Sequence, residues 1–118
     1  QPIEDAFRTA GLQPPTVKEI SEKHPSRAKE VQSVLSLLAR EGVLVKVSQD
    51  LFFHATPLQE IQRKLVEHLK ANAKISPLQF KELAGNISRK FMIPLLEHFD
   101  TLRITMRVGE ERVLRKKE

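Results

Sequence analysis

Basic side chains gather at two places in the second half of the chain, and their types and spacing suit the binding of an anion. Arg89 and Lys90 follow Ser88, a residue type that commonly caps a helix, so both cations are expected in the first helical turn. The positive end of the helix dipole lies there too, and cations at that end cost about 0.3–1 kcal/mol when no anion is bound. A helix start of this kind is suited to holding a phosphate group.

A second basic group lies in a predicted hairpin at residues 104–114, whose turn contains Gly109. Alternate positions of its first strand are apolar: Ile104, Met106 and Val108. We therefore expect Arg107 and Arg112 to project away from the core, with Arg103 close to the hairpin. Guanidinium groups placed in this way can make bidentate contacts with phosphate or stack against an unpaired base.

The residue types that catalysis would need are absent or scattered. The chain has no cysteine, so neither a disulfide nor a thiolate metal site can form. Glu97 and Asp100 share a predicted helix face, but no metal ligand or apolar pocket accompanies them. The histidines are far apart and lack metal-site spacing: His24, His54, His68 and His98. We expect no catalytic residue, no metal and no cofactor, and therefore a binding protein.

The positive charge is distributed unevenly along the 118 residues. Residues 1–57 contain seven Lys/Arg and seven Asp/Glu, whereas residues 58–118 contain thirteen and eight, so the net charge of +5 belongs to the second half. Such asymmetry indicates a polyanionic partner, usually a nucleic acid, although a solvated basic surface gives the same sum. The absence of cysteine, of a long apolar run and of a signal-peptide pattern predicts a cytoplasmic protein.

The first half of the chain predicts three helices followed by a hairpin. The first helix runs from Pro2 to about Ala10, the second begins at Thr16 with a capping box to Glu19, and the third is capped by Ser26. Apolar residues at helical spacing mark the buried face of the third helix: Val31, Val34, Leu35 and Leu38. Alternating residues then predict a strand with Leu51–Phe53 as its partner: Val43, Val45 and Val47.

The second half repeats this order. Pro57 opens a helix, Ser76 and Pro77 begin another, and Ser88 caps a third. Pro94 lies inside this third helix and removes one backbone donor, so either the helix kinks there or its regular part begins late.

A shift of 61 residues superimposes the apolar positions of the two halves. The third helix and first strand of one half align with these residues of the other: Met92, Leu95, Leu96, Phe99, Ile104, Met106 and Val108. The sequence therefore predicts two tandem winged-helix modules, 1–56 and 57–118, and a mainly α fold with small β-hairpins (α+β).

The third helix of the second module favours RNA over double-stranded DNA. A helix lying in a DNA major groove should expose neutral or basic residues, whereas this one carries Glu97 and Asp100. Contact by the helix start and the hairpin alone suits RNA, whose narrow major groove excludes a helix and whose unpaired bases are readable. The first module has no net charge, so we expect it to act as a spacer, although one face of its third helix is polar and free of acids: Lys29, Gln32, Ser33, Ser36 and Arg40.

The second module contains a recognisable series of stretches: Ser88-Arg89-Lys90, Ile93-Pro94-Leu95-Leu96-Glu97, Phe99-Asp100, Thr105-Met106-Arg107-Val108-Gly109 and Arg112-Val113-Leu114. This series resembles the C-terminal winged-helix domains of the bacterial selenocysteine-specific elongation factor. The resemblance is strong over residues 80–115 and extends to the whole chain through the module order. It implies binding of the selenocysteine insertion hairpin of messenger RNA, with GTP and tRNA bound by separate N-terminal domains that are absent here.

The resemblance also assigns RNA contacts by position. Those carried over are Ser88, Arg89, Lys90, Arg107, Val108, Gly109 and Arg112. Family members commonly carry two consecutive arginines where this chain has Met106-Arg107, so one basic contact is expected to be missing or to move to Arg103.

The function expected from the sequence is thus RNA-hairpin binding as part of a translation factor. The expected partners are the mRNA hairpin, the rest of the parent factor and the ribosome, and the chain is expected to be a monomer. Two other functions remain open: a regulator that binds double-stranded DNA through either third helix, and a scaffold that only packs against a protein.

Overall fold

The computed structural model describes residues 2–23 and 25–115 and confirms the mainly helical α+β fold class. In chain order its elements are α1 (Pro2–Ala10), α2 (Val17–Lys23), a 3-10 turn (Pro25–Arg27), α3 (Ala28–Arg40), β1 (Leu44–Ser48), β2 (Leu51–His54), α4 (Ala55–Ala71), β3 (Lys74–Ile75), α5 (Pro77–Leu83), α6 (Arg89–Thr101), β4 (Thr105–Val108) and β5 (Glu111–Leu114). The chain divides into two compact units, 1–58 and 59–118. Within the described residues, no helix combines the length and apolar character that crossing a bilayer requires.

The first unit packs three helices against a two-stranded antiparallel hairpin, β1–β2. One buried cluster joins these elements: Phe7, Val17, Ile20, Val31, Leu35, Leu38, Leu44 and Phe52. His54, at the end of β2, is also buried; its Nε2 lies 3.4 Å from Glu4, and its Nδ1 accepts a hydrogen bond from the Thr56 N–H.

The second unit contains a three-stranded antiparallel sheet with the order β3-β5-β4. Strands β4 and β5 form a hairpin, which we call the wing, and they pair directly at Arg107 and Arg112. Strand β3 was not predicted from the sequence, because a strand of two residues is too short to show alternation. Buried apolar side chains of α4, β3, α5 and α6 form the core of this unit: Ile61, Leu65, Leu69, Ile75, Phe80, Met92, Leu95, Leu96 and Phe99.

The 61-residue repeat appears in the bounds of the third helices. Helices α3 and α6 both have 13 residues and are offset by 61 positions. Each ends in a left-handed residue, Gly42 with φ +79° and Arg103 with φ +64°. In both cases the N–H of this residue and the N–H of the next residue donate hydrogen bonds to carbonyl groups in the last turn of the helix, at N···O distances of 2.9–3.1 Å. Two terminal carbonyl groups are satisfied in this way.

Several predicted helix starts are confirmed and others are wrong. Thr16 and Glu19 form the expected capping box, and Ser76 forms another with Gln79. Ser26 does not cap α3, because the 3-10 turn occupies Pro25–Arg27 and the helix begins at Ala28. Helix α4 begins at Ala55 rather than at Pro57, so the proline lies in its first turn, where its missing N–H is tolerated.

The prediction of which hairpin face is buried is wrong in the second unit. Thr105 is 1% exposed, whereas Met106 and Val108 are 46% and 54% exposed. The wing therefore turns Thr105, and with it Arg107, towards the inner face, and the alternating apolar residues lie on the outer face. In the first unit the predicted face is partly buried: Val43 packs against the core, and Val45 and Val47 of β1 are half-buried, whereas Lys46 and Ser48 are exposed. Leu44 is the one fully buried residue of β1.

Helix α6 already begins at Arg89 and continues through Pro94, so the second of the two alternatives, a late start of its regular part, does not apply. Ser88 occupies the N-cap position with an extended backbone, but its side chain does not cap the helix. Its carbonyl accepts instead from the N–H groups of Phe91 and Met92, at 3.0 and 3.1 Å. The helix start is therefore held by backbone hydrogen bonds.

The Ser76 capping box gives a test of the fold. We expect Ser76→Ala to lower the free energy of unfolding by about 1 kcal/mol, because it removes the acceptor of the Gln79 N–H. Circular dichroism during denaturant unfolding measures the change, since the chain contains neither Trp nor Tyr. Ser33→Ala, on the exposed face of α3, is the matched control and should leave the midpoint unchanged or slightly raised. Equal midpoints for the two variants would contradict the capping role.

Candidate nucleic-acid interface

A groove of about 470 Å³ opens between α5, α6 and the wing of the second unit. Its volume falls within the range of about 300–1,000 Å³ that is typical of ligand sites. The residues that line it are Pro77, Leu78 and Lys81 of α5; Arg89, Met92, Ile93, Leu96 and Glu97 of α6; and Arg107, Glu110 and Arg112 of the wing. Four of these residues are cations and two are carboxylates, so we call it the cationic groove.

Helix α6 supplies one wall and the floor of the cationic groove. Arg89, Ile93 and Glu97 follow one another at intervals of four and therefore form one stripe along the helix. Met92 and Leu96 are buried beneath that stripe, at 4% and 2% exposure. The floor is thus apolar, while Arg89 places a guanidinium group at the positive end of the helix dipole.

Helix α5 supplies a second wall that the sequence analysis missed. Leu78 is 65% exposed, the most exposed large apolar side chain among the described residues, and Lys81 lies one turn further along. The helical period could have predicted this wall. Leu78 and Lys81 are three positions apart and share one face of a short helix, and that face is not the one on which Phe80 is buried.

The wing supplies the third wall, and its turn fixes where Arg107 lies. Gly109 has φ +65° at the first turn position, as a two-residue type II′ hairpin requires, and only glycine adopts that conformation without strain. The Nε of Arg107 donates to the carbonyl of Gly109 at 2.7 Å. The turn therefore orients the Arg107 side chain before any ligand binds.

Arg112 does not project into solvent as predicted. It is 7% exposed, and its Nε donates to both carboxylate oxygens of Asp100, at 3.1 and 3.0 Å. The buried hydroxyl of Thr105 donates to the same carboxylate at 2.6 Å. The prediction failed because it assigned the wrong face of the hairpin to the core. Arg112 still lines the groove, but its main contact fixes the wing against α6.

The remaining predicted contacts lie outside the cationic groove. Ser88 is exposed at the helix start, and the Nζ of Lys90 lies 5.3 Å from the ring centroid of Phe91. Val108 is exposed on the outer face of the wing. Arg103 lies at the opposite end of α6 from Arg89, about 20 Å away along a 13-residue helix. The structure thus brings together Arg89, Arg107, Arg112 and the Gly109 turn.

The two acidic residues of α6 differ in their surroundings, whereas both were expected to be exposed on the helix. The carboxylate of Asp100 accepts hydrogen bonds from Arg112 and Thr105, so it is not a free surface charge. Glu97 does face outwards, and it lines the groove. Within residues 2–23 and 25–115, His, Asp and Glu side chains form no group of three that could hold a metal. His24 lies outside the described residues.

Comparison with known proteins identifies relatives of this chain. A family model described as the winged helix of elongation factor SelB matches residues 67–114. The selenocysteine-specific elongation factor of Desulfomicrobium baculatum is 38% identical over 115 residues, which cover 98% of this chain and 18% of that relative. Over nearly its whole length the chain matches the selenocysteine-specific elongation factor. The part that the family model matches is a winged helix.

Solved structures of this family share the fold. The mRNA-binding domain of elongation factor SelB from E. coli, in complex with SECIS RNA, matches with a TM-score of 0.72 and 20% identity, over 85% of this chain and 82% of that one. The crystal structure of the bacterial selenocysteine-specific elongation factor EF-Sec matches with a TM-score of 0.62 and 26% identity, over 72% of this chain and 14% of that one. The SelB fold is thus present here.

The Asp100–Arg112 pair gives a prediction about stability. Asp100→Asn should lower the free energy of unfolding by about 2–3 kcal/mol, because it leaves a buried guanidinium group without its counter-charge. Glu67→Gln, which breaks the exposed pair with Arg63, is the control and should cost less than about 0.5 kcal/mol. Denaturant unfolding followed by circular dichroism compares them. Equal losses in the two variants would show that burial does not strengthen the Asp100 pair.

His98, on α6, gives a prediction about pH. Its ring packs against Phe99, and burial lowers the pKa of His98 below its usual 6.5. Near pH 6 the unfolded chain therefore binds more protons at His98 than the folded chain does. Protonation then favours unfolding, so the contribution of His98 to the free energy of unfolding is complete above pH 6.5 and declines as the pH falls below 6.5. We expect His98→Gln to lose less stability than the parent chain between pH 7 and pH 5, measured by denaturant unfolding at each pH. A difference between the two chains that does not change with pH would contradict this.

Proposed function

We propose that this chain binds the selenocysteine insertion hairpin of messenger RNA through the cationic groove of its second unit. The single observation that carries the proposal is that α5, α6 and the wing place Lys81, Arg89, Arg107 and Arg112 around one apolar floor. Cations at the rim suit the RNA backbone, and an apolar floor suits an unpaired base. The E. coli SelB domain with the same fold is solved in complex with SECIS RNA, which supports this choice of ligand.

The groove supports RNA rather than a DNA duplex. A recognition helix in a DNA major groove presents its exposed face along its length, whereas Arg89, Ile93 and Glu97 of α6 face a concave space bordered by the wing and α5. A hairpin can place one unpaired nucleotide in such a space, while paired bases in a duplex cannot reach the floor. The double-stranded DNA regulator is therefore the weaker alternative, and a scaffold that binds only protein gives no role to Lys81 and Arg89 in the groove.

The first unit has a different role in this proposal. It carries no net charge over residues 1–57, and we infer that it acts as a spacer between the RNA-binding unit and the rest of the factor. The chain spans 18% of the length of its relative, so the parent factor and the ribosome are further proposed partners. Because a translation factor acts in the cytoplasm, we propose that location for the chain. We also propose that the chain is a monomer and that it binds RNA without catalysing a reaction.

Two arginine variants test the proposed function. Arg89→Ala and Arg107→Ala should each reduce the slope of log affinity against log salt concentration by about one unit, because each removes one phosphate contact. Fluorescence anisotropy with a labelled hairpin that contains the insertion element measures the slope in the full 118-residue chain. Arg63→Ala, which removes an exposed arginine of α4 outside the groove, is the control and should keep the original slope. Unchanged slopes in both groove variants, or tighter binding to a DNA duplex at matched salt, would contradict the proposal.

A further inference from the structure

The cationic groove contains a carboxylate that phosphate binding does not explain. Glu97 lies on the α6 stripe that lines the groove, where it would repel a phosphate. Its backbone carbonyl accepts from the Thr101 hydroxyl at 2.9 Å. Within the described residues, however, its carboxylate takes part in no ion pair or hydrogen bond. The groove thus holds a charged acceptor with free lone pairs.

The surroundings of Glu97 suit a flat apolar ligand with polar edges. Leu78 of α5 is exposed over 65% of its surface, and Ile93 lies one turn before Glu97 on α6. Unpaired bases commonly pack one face on side chains and offer their Watson–Crick edge to hydrogen-bonding groups. Lys81 and Arg89 border the same space and can neutralise the phosphates on either side of such a base.

We propose that Glu97 determines base specificity in this groove, an inference that rests on the proposed function. An ionised carboxylate only accepts hydrogen bonds, so it selects a base edge made of donors. Guanine is the base whose Watson–Crick edge presents two adjacent donors, N1–H and N2–H, which match the two carboxylate oxygens. Uracil presents one donor between two carbonyl groups, and adenine and cytosine each place an acceptor nitrogen beside the amino group. The carboxylate therefore accepts from an unpaired guanine that packs against Leu78 and Ile93.

The second carboxylate of the groove is less suited to this task. Glu110 occupies the turn of the wing, where it is exposed and follows Gly109, so its side chain is not held on a regular element. Glu97 projects from a helix whose buried side fixes its orientation. A specificity-determining group must be held close to its productive geometry, which favours Glu97.

The test uses variants of the insertion-element hairpin that keep its stem and in which a single unpaired loop or bulge position carries guanine, adenine, cytosine, uracil or inosine. Inosine keeps N1–H and lacks the N2 amino group, so it removes one of the two donors. The full 118-residue chain should bind the guanine hairpin at least about tenfold more tightly than the inosine hairpin at one such position, an effect typical of bidentate readout. Glu97→Gln, which places a donor in the groove, should reduce that preference to within about twofold.

Glu82→Gln is the matched control, because it makes the same charge change on the exposed surface of α5 outside the groove. It should retain the full guanine preference, and circular dichroism should show both variants folded. A Glu97→Gln chain that discriminates guanine from inosine as well as the parent does would overturn the inference, even if it bound every hairpin more tightly. A parent chain that bound none of the hairpins would overturn the proposed function itself, so the two failures are distinguishable.

Discussion

The second unit depends on one polar interaction, the hydrogen bonding of Asp100 to Arg112 and Thr105. Asp100 lies near the end of α6, Thr105 begins β4, and Arg112 lies in β5, so a single carboxylate joins the helix to both strands of the wing. Because these hydrogen bonds are directional and partly buried, they set the position of the wing along α6. The wall of the cationic groove that carries Arg107 and Glu110 exists as a consequence.

The first unit lacks this interaction, although it has a corresponding third helix and hairpin. With a shift of 61 residues, Ala39 corresponds to Asp100 and Leu44 corresponds to Thr105. The counterpart of Arg112 follows from the strand pairing. Arg112 pairs with Arg107, and Phe52 pairs with Lys46, the counterpart of Arg107, so Phe52 takes the place of Arg112. Leu44 and Phe52 belong to the buried cluster of the first unit, and Ala39 packs against it. One unit therefore attaches its hairpin by apolar packing and the other by a charged network. Apolar replacements of buried ion pairs are often as stable or more so, which suggests that the charged network is retained for its geometry.

Much of the fold was predictable from the sequence, and the errors have clear physical causes. Helical spacing located the helices, and Ser88 marked the start of α6 correctly although its side chain does not cap the helix. The wing was assigned the wrong inner face because an alternating apolar pattern usually marks buried residues, whereas here Thr105 and Arg112 are buried through their hydrogen bonds to Asp100. That pairing joins positions 12 residues apart and left no periodic signal. The groove could be predicted only in part, since Arg89 and Arg107 stood out as basic residues while Leu78 was not singled out as exposed.

The central claim is that α5, α6 and the wing together form the RNA-binding surface. Backbone amide NMR of the full chain, titrated with an insertion-element hairpin, tests it most directly because every described element reports separately. We expect the largest shift changes in residues 77–83, 89–97 and 107–112, with α3 of the first unit unaffected. Changes concentrated along α3, or on the outer face of the wing at Met106 and Val108 with none in α5, would contradict it.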